Sequence, residues 1–261
     1  MTGPMPYILY PFQALLLIAI GVAGGVLFTR RFSLKWKLYG VGAAAFALSQ
    51  AGDWLFLWAW AFIINKELLP AFPTLWLGLM LVFATWGLIV GVCGEGARYI
   101  AYRWFAKEAR SWRTGLLLGA GHGGGGAAIV GILMLVDFVW IIVRHEPRDP
   151  YLSEEWYTAF LVALVFALMQ PIHLWLSLVV LRVFTGNQIR WLWQAIAWHA
   201  ATYALIMATL SLAPVVGFVL LFIISFLCLA SISGMRLHVD APGISHETRL
   251  ENDETAAFET E

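Results

Sequence analysis

Three histidines, a glutamate and an arginine fall at nearly one depth in a chain otherwise built of apolar runs. His122 lies nine residues after Arg113, His173 nine before Arg182, and His199 nine after Arg190. Glu95 lies eight residues before Arg103, with Arg98 one turn nearer the basic end. At about 1.5 Å of rise per helical residue, these side chains sit roughly 12–14 Å inside one boundary of the apolar layer. Imidazole nitrogens are common zinc ligands, and a hydrolytic zinc centre takes three protein ligands and keeps one position for water. The ion lowers the pKa of that water and polarises a carbonyl. A nearby carboxylate can take the proton, and an arginine can steady the developing oxyanion. His122, His173 and His199 are therefore the candidate metal ligands, with Zn2+ the expected ion. Glu95, as general base, and Arg98 form the candidate catalytic pair.

Blander explanations exist for each residue alone. A single intramembrane histidine can simply hydrogen-bond across a helix pair, and Glu95 and Arg98, three apart on one face, can pair to close the end of their span. Matched depth on four helices is what favours a shared cavity. No segment supplies two ligands in the manner of HExxH, since Gly126 stands four residues after His122. The metal assignment therefore depends on tertiary convergence. Asp53, in LSQAGDWLFLW, is deeper, near mid-bilayer beside Ser49 and Gln50. A carboxylate there must be neutral, paired or cavity-facing, so Asp53 is a candidate substrate contact, proton site or extra ligand. Asp137 reads as a polar contact with an outer loop, and His145, His238 and His246 fall in loop or tail with no assigned chemistry.

The element that must position these groups is the glycine run Gly119-Ala120-Gly121-His122-Gly123-Gly124-Gly125-Gly126. Glycine at that density weakens a helix in water but lets a neighbouring backbone approach closely in lipid. The run is not a nucleotide loop, because it lacks the spacing and acidic partner of a dinucleotide fingerprint and the terminal Gly-Lys-Ser/Thr of a phosphate loop.

Of the 261 residues, 61% are hydrophobic and only 12% charged, half of the roughly 25% usual in a soluble domain. The apolar blocks are long enough to cross a bilayer. The expected fold is all-α, a polytopic transmembrane helical bundle of about seven spans, with six to eight allowed by the boundaries. The spans run roughly over 7–28, 38–62, 70–95, 114–143, 156–181, 190–210 and 212–234. The last two are joined by Ser211 to Pro214, either a tight connection or a kink in one longer helix. The first block lacks the basic n-region and cleavage site of a signal peptide, so it reads as a retained span.

Thirteen basic residues lie on one side of these spans and three (Lys66, Arg144, Arg148) on the other. The positive-inside rule then puts the N-terminus outside and the C-terminus in the cytoplasm. Residues 1–236 form the membrane domain, and 237–261 an acidic tail too short and polar to fold alone. The 144–155 connection is expected to be a short ordered cap or a solvated turn. Cys93 and Cys228 read as small buried hydrophobes, and Trp54, Trp58, Trp60, Trp191, Trp193 and Trp198 as packing residues and interfacial anchors. Nothing points to nucleic acid; the expected partners are the lipid bilayer and a membrane-associated peptide or hydrophobic ligand. The expected location is the cell membrane of a prokaryote, with oligomeric state left open.

Four stretches together resemble a known family: WKLYGVGAAAFALSQ, EGARYIAYRWF, LLLGAGHGGGGAAIVG, and the later His173 and His199. They are similar to the YhfC-like intramembrane metalloproteases, themselves distantly similar to the CAAX-prenyl-protease and bacteriocin-immunity membrane proteins. The resemblance runs from about residue 30 to residue 210, and its most specific part is E-x-x-R followed by G-x-G-H-G-G. It implies a multi-helical membrane fold, a polar site made of Glu95, Arg98, His122, His173 and His199, and peptide-bond hydrolysis in or at the membrane. Two departures stand out. The family pattern has paired glutamates before the arginine, where this chain has Gly94 first, and a glutamate four residues after the histidine, where this chain has Gly126.

Three functions follow from these residues. The first is a metal-dependent intramembrane hydrolase, above all a peptidase. The second is a catalytically weak or inactive relative that binds a peptide, lipid or small hydrophobic ligand, which the two glycines favour. The third is a proton-coupled transporter using Asp53 and the histidines. Against it, no matching pair of broken helices marks two halves of the chain.

Overall fold

The computed structural model describes residues 5–65, 75–144 and 156–240. Among them every regular element is helical: α1 (Met5–Phe32), α2 (Lys37–Asn65), α3 (Leu75–Ile100) continuing into a π-helical turn (Ala101–Phe105), α4 (Trp112–Arg144), α5 (Trp156–Thr185), α6 (Arg190–Leu212) and α7 (Pro214–Asp240). Six of the seven are long and apolar enough to cross a membrane; α2, interrupted by Ser49, Gln50 and Asp53, does not qualify among the described residues. Lys66, the 145–155 connection with His145 and Arg148, and the tail beyond residue 240 with His246 lie outside the described residues, as does the side chain of His238.

The glycine run makes α4 the centre of the bundle. Gly115 to Ala127 are buried without a break, so this stretch is covered on every side. A Cβ at Gly121 would run into the Tyr39 carbonyl of α2, one at Gly124 into the Gly21 carbonyl of α1, and one at Gly119 would come within 3.0 Å of Leu174 Cα on α5. Three helices thus rest on α4 nearly backbone to backbone, the small-residue contact that substitutes in lipid for a hydrophobic drive to associate. A second seam joins α3 to α6. A Cβ at Gly91 would stand 2.8 Å from the Ile196 carbonyl, and one at Gly87 would meet the Ala200 carbonyl. Tyr39 strengthens the first seam by donating to Gly21 O at 2.8 Å.

The helix ends explain the connections. Ser111 and Thr114 cap the start of α4 reciprocally, Ser111 N–H donating to Thr114 Oγ1 at 3.1 Å and Thr114 N–H to Ser111 Oγ at 3.4 Å. Asn187 takes a left-handed conformation (φ 48°) in the turn between α5 and α6. Ala213 leaves helical geometry (φ −149°, ψ 76°), and Pro214, which needs no N–H partner at a first helical position, opens α7. The Ser211–Pro214 stretch is therefore a connection between two helices rather than a kink in one.

Basic residues gather at one end. Lys37 lies 3.4 Å from Glu108, Arg113 over the ring of Phe32, Arg110 over Phe184, and Arg236 over Trp112. The α1–α2 turn, the α3–α4 connection, the end of α5 and the end of α7 therefore share one face of the bundle. Arg182 stacks on Trp191 with its guanidinium 3.3 Å from the ring centre, so at least that tryptophan anchors a boundary. Trp54, Trp58, Trp193 and Trp198 are exposed, as expected of lipid-facing rings. Cys93 and Cys228 are free and half-buried. Asp137 accepts from the Tyr10 hydroxyl of α1 at 3.1 Å, so its partner is a neighbouring helix.

Candidate active site

The five residues singled out by depth do meet. The ring centres of His122 and His173 are 5.4 Å apart, and those of His173 and His199 5.8 Å apart. Glu95 on α3 lies 2.6 Å from His199 Nδ1, and Arg98 pairs with the same carboxylate oxygen while reaching His173 Nδ1 at 2.7 Å. One hydrogen-bonded chain therefore runs His199–Glu95–Arg98–His173 across α6, α3 and α5. His122 on α4 stands beside its end, edge-on to Phe46 with ring centres 5.5 Å apart.

Local sequence explains each placement. His122 sits among glycines, so α1, α2 and α5 close around it, leaving it 1% exposed. His173 follows Pro171, which supplies no N–H to the carbonyl of Ala167 and so breaks the α5 ladder beside the site. His199 packs on the bare backbone of Gly94, where a Cβ would stand 2.9 Å from its Cε1. Beneath Arg98, Tyr102 shares a 2.8 Å hydrogen bond with Ser177, whose hydroxyl donates to Gly115 O at 3.1 Å, tying α3, α5 and α4 together.

The chain of bonds fixes the imidazole protons. A carboxylate only accepts, so His199 Nδ1–H donates to Glu95, and in the neutral ring Nε2 is the nitrogen that keeps a lone pair. A guanidinium only donates, so His173 Nδ1 accepts from Arg98, and the neutral ring carries its proton on Nε2. The two histidines are thus held in opposite tautomers by one salt bridge. Glu95 and Arg98 are both fully buried. Their charges answer one another, although Glu95 Oε2 and Arg98 Nε take no hydrogen bond among the described residues.

These groups border a cavity of about 620 Å3 between α2, α3, α4, α5 and α6. His122, His173 and His199 lie on its wall with Ser49, Gln50 and Asp53, and the rest of the lining is mostly apolar, including Phe46, Trp86, Phe166 and Met207. Glu95 and Arg98 are not among the lining residues. The carboxylate expected as a base instead stands behind His199. Asp53, expected at greater depth, shares the cavity with the imidazoles. Sequence reasoning missed Phe46 and Tyr203. The second had a signal, since it follows His199 by four residues and shares its helical face.

Three adjacent imidazoles are the right donors for a metal, and the buried Nδ1 of His122 has no partner among the described residues. In kind, then, the residues fit. Their arrangement is less complete, because no group of three or more His, Cys, Asp or Glu among the described residues is disposed to hold an ion. In particular, Arg98 occupies the free lone pair of His173.

The fold and cavity define a multi-pass helical membrane protein with a buried polar centre. The family model of the YhfC intramembrane metalloprotease matches residues 14–224, and the chain belongs to that family. No match was found among curated proteins or among solved structures.

Proposed function

We propose that this protein is a metal-dependent hydrolase acting inside the membrane, with the peptide bond of a membrane-associated peptide or protein as its substrate. The observation that carries the reading is the meeting of three imidazoles, from three helices, on the wall of an apolar cavity. His122, His173 and His199 are the proposed ligands, and Zn2+ is the ion that nitrogen donors of this kind suit. When bound, such an ion supplies Lewis acidity and an acidified water.

The chain's own residues do the positioning. Glu95 accepts the Nδ1–H of His199 and so leaves the Nε2 lone pair available, the arrangement in which a carboxylate orients a metal-binding histidine. Glu95 is thereby a positioning residue acting through the imidazole, in place of its expected role as base. Arg98 neutralises Glu95 and holds His173. Recruiting His173 as a ligand requires the guanidinium to release Nδ1. The apolar wall receives hydrophobic side chains and keeps bulk water from the reacting bond. With the basic face of the bundle toward the cytoplasm, the site lies in the cytoplasmic half of the membrane.

Metal analysis of protein purified without chelators tests the reading. Stoichiometric zinc is expected in the intact protein and is lost in His122→Ala; intact protein without bound metal would end it. A second reading is favoured by the glycines at positions 94 and 126, where the family pattern has carboxylates: a relative that holds a hydrophobic ligand without cleaving anything. An apolar molecule retained through purification, together with no peptide cleavage, would decide for it.

A further inference from the structure

We infer that Asp53 is the proton-transferring residue of the proposed hydrolysis, standing in for the acidic side chains missing at positions 94 and 126. The inference rests on the hydrolase reading and adds a residue to it. Gly94 and Gly126 both line the cavity, and in both places the space beside the glycine is occupied. A Cβ at Gly94 would meet the His199 ring at 2.9 Å, and one at Gly126 the Phe46 ring at 2.9 Å. Neither position can carry a carboxylate unless a ring moves.

Asp53, supplied by α2, is the only carboxylate among the described residues that line this cavity. It is only 6% exposed. Its Oδ2 accepts from Gln50 Nε2 at 2.9 Å, while Oδ1 has no hydrogen-bond partner among the described residues. A buried carboxylate oxygen without a donor is costly, and a bound group that brings a proton removes the cost. Glu95 cannot serve in the same way. It is fully buried, does not line the cavity, and spends one oxygen on both Arg98 and His199. The groups that act on Asp53 are the Cys93 thiol of α3, which hydrogen-bonds to its carboxylate, His199 and Tyr203 of α6, and Gln50 on its own helix. Among the described residues, no lysine or arginine lines the cavity to compete for it.

The step balances as follows. Water oxygen bonds to the carbonyl carbon while one water proton passes to Asp53 Oδ1. The carbon–nitrogen bond then breaks, and the nitrogen takes that proton from Asp53. The products are a carboxylic acid and an amine, and Asp53 returns to its starting form. Removing a positioned acid–base group of this kind costs about 10²–10⁴-fold in rate.

The test uses the full chain in vesicles of phosphatidylethanolamine and phosphatidylglycerol, with a fluorogenic transmembrane peptide as substrate. Asp53→Asn is expected to cleave at least about a hundredfold more slowly than the parent while keeping its metal content and its binding of the peptide. Dicyclohexylcarbodiimide, an apolar reagent that adds to accessible carboxyl groups, is expected to label Asp53 and leave Glu95 untouched when the adducts are mapped by mass spectrometry. Asp53→Asn cleaving at the parental rate, or an adduct on Glu95 with none on Asp53, overturns the assignment and leaves the hydrolase reading standing. Parent protein that binds no metal and cleaves nothing overturns both.

Discussion

Two of the polar clusters among the described residues of this bundle are built in opposite ways. The first, Glu95 with Arg98, joins α3 to α5 and α6, is fully buried, and answers a carboxylate with a guanidinium and an imidazole. The second, Gln50 with Asp53, opens on the cavity and meets its carboxylate with only neutral groups, the Gln50 amide and the Cys93 thiol. A group that holds other groups in place must have its charge met before any ligand arrives. A group that meets a ligand keeps capacity in reserve. On the proposed reading, two carboxylates in one bundle divide scaffold from chemistry.

The sharpest way to break that division is to truncate each cluster. Glu95→Ala leaves Arg98 as an uncompensated buried charge, and the loss of stability is expected to reach about 3–5 kcal/mol. Asp53→Asn keeps the bond to Gln50 and is expected to move stability by less than about 1 kcal/mol. Thermal unfolding in one detergent compares the two directly, and equal losses would erase the distinction.

A smaller effect is expected at the glycine seam between α1 and α4. Gly124→Val forces a side chain into the Gly21 backbone and should cost about 1–3 kcal/mol or more. Gly96→Ala, where nothing stands within 4 Å of the added carbon, should instead gain up to about 1 kcal/mol of helix propensity. A neutral Gly124→Val would show that α1 and α4 are not in backbone contact.

The smallest effect belongs to a third carboxylate, Glu108, at the solvent-facing end. Its carboxyl is held below the ordinary value chiefly by its own backbone amide, with Lys37 adding to the effect. A carboxyl lowered in the folded state contributes at neutral pH and loses that contribution as pH falls through its lowered folded value. The group is exposed and the pair is screened, so Glu108→Gln should lower the melting temperature at pH 7 only slightly, and that difference from the parent should vanish in acid. A clear loss at pH 7 would mean that this pair matters more to the fold than its exposure implies.

Depth was legible in the sequence, and direction was not. Counting residues from each basic boundary placed His122, His173, His199, Glu95 and Arg98 at one level, and they are neighbours in the structure. Which way each side chain faces depends on how the helices are rotated about their axes, and rotation is set by packing. That is why Glu95 stands behind His199 rather than on the cavity wall, and why Asp53, read as deeper, shares the wall with the imidazoles. The glycine run announced close helix approach but could not name the partners; Tyr39, Gly21 and Leu174 are known only from the fold. Helix count was read well where apolar runs were unbroken. It was weakest at Ser211 to Pro214, where one longer kinked helix was the alternative; there Ala213 leaves helical geometry and Pro214 opens α7.

The wide turn at Ala101–Phe105, closed by Ala106 N–H donating to Ala101 O at 2.9 Å, has a consequence for phase. Each residue advances a helix by about 100°. Deleting one residue there would leave the α3–α4 connection anchored and swing everything before it by roughly that angle. Glu95 and Arg98 would then point away from His199 and His173. Arg110, whose guanidinium reaches the carbonyls of Tyr102, Ala106 and Ala109 at 3.0–3.1 Å, clamps this stretch like a set screw on a shaft. The azimuth of the buried salt bridge is thus locked from outside the membrane-spanning part of α3.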